Sequence, residues 1–167
     1  MLYLIIIAIL APISLIDAGS NLDISSNVMN RSISVKGQVL CGYVPFEGAK
    51  IRLYRDYQPT DVNDLSDLIS FRTTHVTGMF QLDGNNQKFP TTKTEIKPFL
   101  TIHHNCDMNE KDTAHLGYKR WAIRIPEIYV TNGPKAFQVY DIGRVNLQLE
   151  YPGEHHDKTF VFTPDSA

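Results

Sequence analysis

Ser32-Ile33-Ser34-Val35-Lys36-Gly37-Gln38-Val39-Leu40-Cys41 is the stretch on which the fold turns. Ile33, Val35, Gly37, Val39 and Cys41 alternate with Ser34, Lys36, Gln38 and Leu40, the period-two pattern of a strand with one face on a core and the other in water. The alternation points Cys41 inward. Beyond it, Gly42 to Gly48 supplies turn residues, and Ile51 and Leu53 then alternate with Lys50, Arg52 and Tyr54 in a second strand. Gln58 to Asp67 (QPTDVNDLSD) reads as a polar, acidic loop. Leu68 to Thr73 and Met79 to Leu82 read as a hairpin closed at Val76-Thr77-Gly78 and ended by the turn formers Asp83-Gly84-Asn85-Asn86.

Pro98 to His104 has the apolar density of a buried strand and delivers Cys106 just past its end. After the polar stretch Asp107 to Gly117, Trp121, Ile123 and Ile125 face a core, and Pro126 stops the strand because it cannot donate to a ladder. Pro126 to Val130 suits a short helical turn, and Val145, Leu147, Leu149 and Tyr151 alternate with polar neighbours in a last strand. About seven or eight short strands, separated by turn signals and with no useful amphipathic helix, predict an all-β chain folded as a two-sheet antiparallel sandwich. The domain spans residues 32–151, and the tail 152–167 reads as loose.

Met1 to Ile16 is almost wholly apolar and uncharged, and polarity begins at Asp17. The run is shorter than a bilayer span and is followed by Ala18, so residues 1–18 read as a signal peptide and the chain as secreted. An N-terminal anchor is the alternative, because Ile16 is not the small residue preferred before a cut. Without that segment the chain is the size of one domain. The 16 Lys and Arg against 18 Asp and Glu leave a net charge of -2, which offers no field for nucleic acid, so any membrane association is peripheral and rests on a local patch. In an exported chain, Cys41 and Cys106 read as a disulfide, two buried free thiols being the alternative; closing so long a loop is worth about 4 kcal/mol. Asn30-Arg31-Ser32 is an acceptor triplet for N-glycosylation.

Three constellations carry possible chemistry. His103, His104, Cys106 and His115, with the pair His155-His156, are of metal-ligand type. Adjacent His103 and His104 face opposite sides of a strand, and a disulfide at Cys106 leaves too few ligands for a closed zinc site, so neither metal nor cofactor is expected. Asp61, Asp64 and Asp67 recur every three residues but lack the glycine and bidentate glutamate of a calcium loop, and read as a solvated acidic loop. Lys50, Arg52 and Arg55 place three cations at one strand, a candidate patch for lipid phosphates set against the plainer reading of a wet strand face. No phosphate-binding glycine loop or activated nucleophile is visible, so catalysis is not expected.

Several blocks together resemble the nematode transthyretin-like family. They are Val35 to Gly42, Ala49 to Tyr54, Asp61 to Leu68, Thr77 to Leu82, Ile102-His103-His104-Asn105-Cys106, Arg120 to Pro126 with Tyr129, and Tyr140-Asp141-Ile142-Gly143. The resemblance implies a transthyretin/prealbumin-like β-sandwich, secreted and found in the extracellular space or at the cell surface. It further implies a binding or adaptor module whose ligand is a phospholipid headgroup such as phosphatidylserine, or a small hydrophobic molecule, with a cell-surface receptor as partner. A structural protein of the extracellular matrix or cuticle is the alternative. Many relatives carry a further cysteine where Asp107 to Lys119 has none, so a second disulfide is excluded. Enzymatic cousins of the fold hydrolyse hydroxyisourate with a C-terminal Tyr-Arg-Gly-Ser, but here Tyr151-Pro152-Gly153-Glu154 offers neither the Arg nor the Ser, and fold alone supplies no activity.

Overall fold

The structure, a computed structural model, describes residues 30–56 and 63–161. The signal reading at 1–18, Asp61 and the last residues of the tail lie outside the described residues. Among the described residues ten strands form: β1 (Arg31–Cys41), β2 (Val44–Pro45), β3 (Lys50–Tyr54), β4 (Leu68–Thr73), β5 (Met79–Asn85), β6 (Phe99–His104), β7 (Tyr118–Arg124), β8 (Thr131–Asn132), β9 (Val139–Asn146) and β10 (His155–Asp157). One helix, α1 (Glu110–Leu116), lies between β6 and β7.

The chain is an all-β sandwich. In one sheet β1 is central, paired antiparallel to β5 and parallel to β9, with β2 and β8 adding short edges. The other sheet runs β10-β7-β6-β3-β4, all antiparallel. The period-two reading of β1 holds, since Ile33, Val35 and Val39 are fully buried. They meet Ile51 and Leu53 of β3, Leu100 and Ile102 of β6 and Leu82 of β5 in one core. Gly37 takes an inward position because the side chains of Ile142 and Phe80 already fill the space that a Cβ would need. Cys41 ends β1 and Cys106 follows β6, and their disulfide, with Cα atoms 5.7 Å apart, staples one sheet to the other.

Four local readings are corrected. First, β4 and β5 do not form a hairpin. β4 pairs with β3, and β5 crosses to the other sheet to pair with β1. β5 also runs through Asp83-Gly84-Asn85, because Gly84 meets Ile69 where any Cβ would collide, and the turn waits for Asn86, whose side chain bonds Arg31 N and Thr94 O.

Second, the stretch Asp107 to Gly117 contains α1, which buries no residue and so shows no apolar stripe; Asn109 caps it by accepting from Asp112 N at 2.8 Å. Third, the last long strand is β9, eight residues from Val139 to Asn146. The chain turns at Asn146, whose Oδ1 accepts from Gly42 N at 2.9 Å and Gln148 N at 3.1 Å, leaving Leu149 exposed. Fourth, the tail is not loose where it is described. β10 pairs with β7, and Phe160 is buried.

Ile125 lies in the core, as read. Trp121 is half-buried at the core's margin, its ring stacked on Tyr151 at 4.4 Å. The helical turn after Pro126 is present as a 3-10 turn, Glu127–Tyr129.

Candidate functional site

The three cations proposed as a surface patch are not exposed together. Lys50 and Arg52 do lie on the outer face of β3, opposite Ile51 and Leu53. That face is covered, however, by the segment following β10. The guanidinium of Arg52 sits 4.6 Å from the centre of the Phe160 ring, and its NH2 donates to Val161 O at 3.2 Å, so Arg52 is buried. Lys50 is half-buried, and burial pushes its amine below the usual range.

Arg55 is buried as well. Its Nε donates to Asp67 Oδ1 at 2.8 Å, and its NH1 to Glu95 O at 3.0 Å. Asp67 therefore belongs to an ion-pair cluster with Arg55 and Lys93, and not to a solvated acidic loop. Burial alone would raise its carboxyl, but the hydrogen bonds and charge of Arg55 and Lys93 outweigh that and hold it below the usual range. Asp64 Oδ1 is taken by Ser66 N at 2.8 Å.

His103 and His104 occupy opposite faces of β6, as their adjacency required. Both are buried. His103 lies on the outer face with Arg52 and Arg120, its ring stacked on Phe160 at 3.9 Å and its Nε2 3.5 Å from Asp157 Oδ2. Burial, then the charges of Arg120 and Arg52, bring its pKa down to about 3, against the pull of Asp157. His104 Nε2 is 4.0 Å from Glu154 Oε2, too far for a hydrogen bond. Burial, with the charges of Lys119 and His156, lowers it to about 4. Among the described residues the one grouping of three ligand-type side chains is Cys41, Cys106 and Asp107, whose sulfurs are already joined. Asn30 is half-buried at the head of β1.

The open site is on the other sheet. Across the outer face of β5, β1 and β9 runs a groove of about 610 Å³. The ladders set Lys36 between Gln81 and Asp141, and Gln38 between Met79 and Arg144. Arg72 of β4 and His75 of the following turn close one side. Asp141 and Arg144 are three apart and would ordinarily face opposite ways. A β-bulge at Ile142-Gly143, with Gly143 at φ 74°, inserts one residue and brings both to the outer face. Asp141 Oδ1 accepts from Gly143 N at 2.8 Å and its Oδ2 lies 3.4 Å from Lys36 Nζ; the bond from Gly143 first, then Lys36, lowers its pKa. The side chains of Arg72, His75 and Arg144 are exposed and make no hydrogen bond or ion pair with any other described residue.

Sequence reasoning did not gather this groove. Its residues come from four strands and a turn, and the readable signal was the lone glycine of Asp141-Ile142-Gly143-Arg144, which marks a bulge inside a strand.

Comparison with known proteins agrees with this architecture. "Transthyretin-like protein 33" of Caenorhabditis elegans is 33% identical over 133 residues, 80% of this chain and 85% of the relative. "Transthyretin-like protein 5" of the same organism is 29% identical over 127 residues, 76% of this chain and 84% of the relative. The solved structure of a 9R-lipoxygenase from Cyanothece aligns with a TM-score of 0.36 and 16% identity over 70% of this chain and 16% of its own, below the level at which a shared fold is inferred. The pattern of the transthyretin-like family matches residues 36–126, and with the sandwich, the inter-sheet disulfide and these relatives in hand, the chain belongs to the transthyretin-like family.

Proposed function

We propose that this family member is secreted and acts without catalysis, as a peripheral binding module at the cell surface that takes an anionic phospholipid headgroup such as phosphatidylserine in the groove across β5, β1 and β9. One observation carries the reading: the side chains of Arg72, His75 and Arg144 stand around an open groove without partners among the described residues. Phosphate and carboxylate are the groups that guanidinium forks accept best. Asp83 and Asp141 line the same groove, which suits a headgroup carrying an ammonium beside its anions. Met79, 62% exposed, adds an apolar surface for the glycerol or the start of a chain. Among the described residues no serine, threonine or cysteine lines the groove, in keeping with binding and not acyl transfer.

The test is co-sedimentation with phosphatidylcholine vesicles, with and without phosphatidylserine, at two salt concentrations. Binding should require phosphatidylserine and weaken at high salt. The double variant Arg72→Gln/Arg144→Gln should bind roughly thirtyfold less well, at about 1 kcal/mol per cation. Equal binding by the two proteins would remove the groove from the account. Failure of both to bind either vesicle would move the partner to a receptor or to the extracellular matrix.

A further inference from the structure

The covered face of the opposite sheet differs from an ordinary protein interior. Arg52 of β3, Thr101 and His103 of β6 and Arg120 of β7 share it, and all four are buried. Two groups of the chain's own segment after β7 lie against them. The Asp157 carboxylate approaches His103, the Phe160 ring lies flat on the His103 imidazole, tilted by 13°, and the Arg52 guanidinium stands 4.6 Å from the centre of the same ring. Together they present a carboxylate and an aromatic ring to a cationic, aromatic-walled face.

The fit is poor where it matters. Thr101 Oγ1, both ring nitrogens of His103 and Asp157 Oδ2 are buried without a hydrogen bond. Buried polar groups are nearly always satisfied, and each exception is costly. Three such atoms beneath one short segment, and a fourth on it, mark an occupant that fills the space without completing the bonds. The segment is held by few backbone bonds: β10 is three residues long, and beyond it Asn63 bonds Thr159 O and Val161 N at 2.7 and 3.0 Å and Arg52 NH2 donates to Val161 O at 3.2 Å. Gly117 keeps its path open, because any Cβ there would strike the Asp157 carbonyl.

We propose that the outer face of β3, β6 and β7 is a binding site for a small aromatic carboxylate, held shut by the chain's own Asp157 and Phe160. The ligand's ring takes the place of Phe160 against His103 and Arg52. Its carboxylate, free of the backbone that restrains Asp157, reaches Thr101 Oγ1 and the Arg120 guanidinium. Binding lifts the segment 155–161 from the sheet. This site is separate from the groove on the other sheet, and neither depends on the other.

The probe is phenylacetate, with acetate and benzyl alcohol supplying charge without ring and ring without charge, each titrated into the full chain and followed by amide hydrogen exchange. Phenylacetate should accelerate exchange across 155–161 while 99–104 stays protected, and the two fragments should do so far less. Phe160→Ala removes the internal competitor and should bind phenylacetate about tenfold more tightly, the share of one aromatic contact. Thr101→Val keeps the shape and removes a hydroxyl that bonds nothing in the closed state. It should leave stability unchanged or raised yet weaken phenylacetate several-fold, a split that a purely structural threonine would not show. Exchange in 155–161 that phenylacetate leaves unchanged or slows would overturn the proposal, with or without a folded Phe160→Ala protein. So would undiminished binding by Thr101→Val. Arg72→Gln/Arg144→Gln should bind phenylacetate like the wild type.

Discussion

Arg55 grips Asp67 with two nitrogens, Nε and NH2 each standing 2.8 Å from the same oxygen, Oδ1. The pair ties the end of β3 to the residue that opens β4, and Lys93 adds a third donor at 3.1 Å. Removing the carboxylate leaves a buried guanidinium with its donors unmet, the costly way to break an ion pair. Asp67→Asn should lower stability by about 3 kcal/mol, read as a shifted urea midpoint with an unchanged slope. A loss under about 0.5 kcal/mol would class the pair with solvent-exposed bridges.

Acid should destabilise the protein well before its carboxylates titrate. His103 and His104 stay neutral in the folded chain down to about 3 and about 4, whereas an unfolded histidine takes a proton near about 6.5. Between those values the unfolded state binds more protons, so stability is full above about pH 6.5 and falls as pH drops toward the folded pKa values. At about 1.4 kcal/mol per unit the loss amounts to several kcal/mol. Urea unfolding at pH 7, 5.5 and 4.5 measures it, and His104→Leu should flatten the slope. A profile that is level from pH 7 to 4.5 would contradict the burial of both rings.

The strands that build the core were legible because each alternates with one face inward, as Ile33, Val35 and Val39 show, and a period of two is local information. What was not legible is how those strands share sheets. Nothing in Leu68 to Leu82 says that a tight turn at Gly78 passes the chain from one sheet to the other instead of closing a hairpin. The outward reading of Arg52 was right about the strand and wrong about water. Whether a polar face is wet depends on what lies over it, and here the cover comes from Phe160, more than a hundred residues along. The groove was hidden for a similar reason, since a one-residue bulge at Gly143 reverses the facing of Arg144 relative to Asp141.

The disulfide joins the two sheets at one end of the sandwich, and no ladder hydrogen bond does the same work there. Cys41→Ala/Cys106→Ala should lose about 2–5 kcal/mol. Differential scanning calorimetry of the wild type with and without reductant should reproduce the difference, because the reduced wild type and the double variant lack the same cross-link. A reduced wild type as stable as the oxidised protein would show that the staple adds nothing to the packed core.

Gly37 and Ile142 supply the last prediction. A Cβ on Gly37 would stand 2.5 Å from Ile142 Cγ1 and 3.1 Å from Phe80 Cε1, so the bulge that turns Arg144 into the groove is packed down onto a missing side chain. Gly37→Ala is strained by that contact and not by its backbone, because Gly37 is not among the residues with positive φ. Overpacking of this kind costs about 1–3 kcal/mol. Ile142→Ala on its own deletes Cγ1 and the atoms beyond it and should cost about 2 kcal/mol. The two changes together should cost less than their sum, because the truncated side chain makes room for the new methyl, and a coupling of about 0.5–1 kcal/mol is expected from residues in direct contact. The cycle is measured by urea unfolding of the four proteins. Strict additivity would mean that Ile142 does not lie over Gly37, and the placement of Asp141 and Arg144 on one face would lose its structural cause.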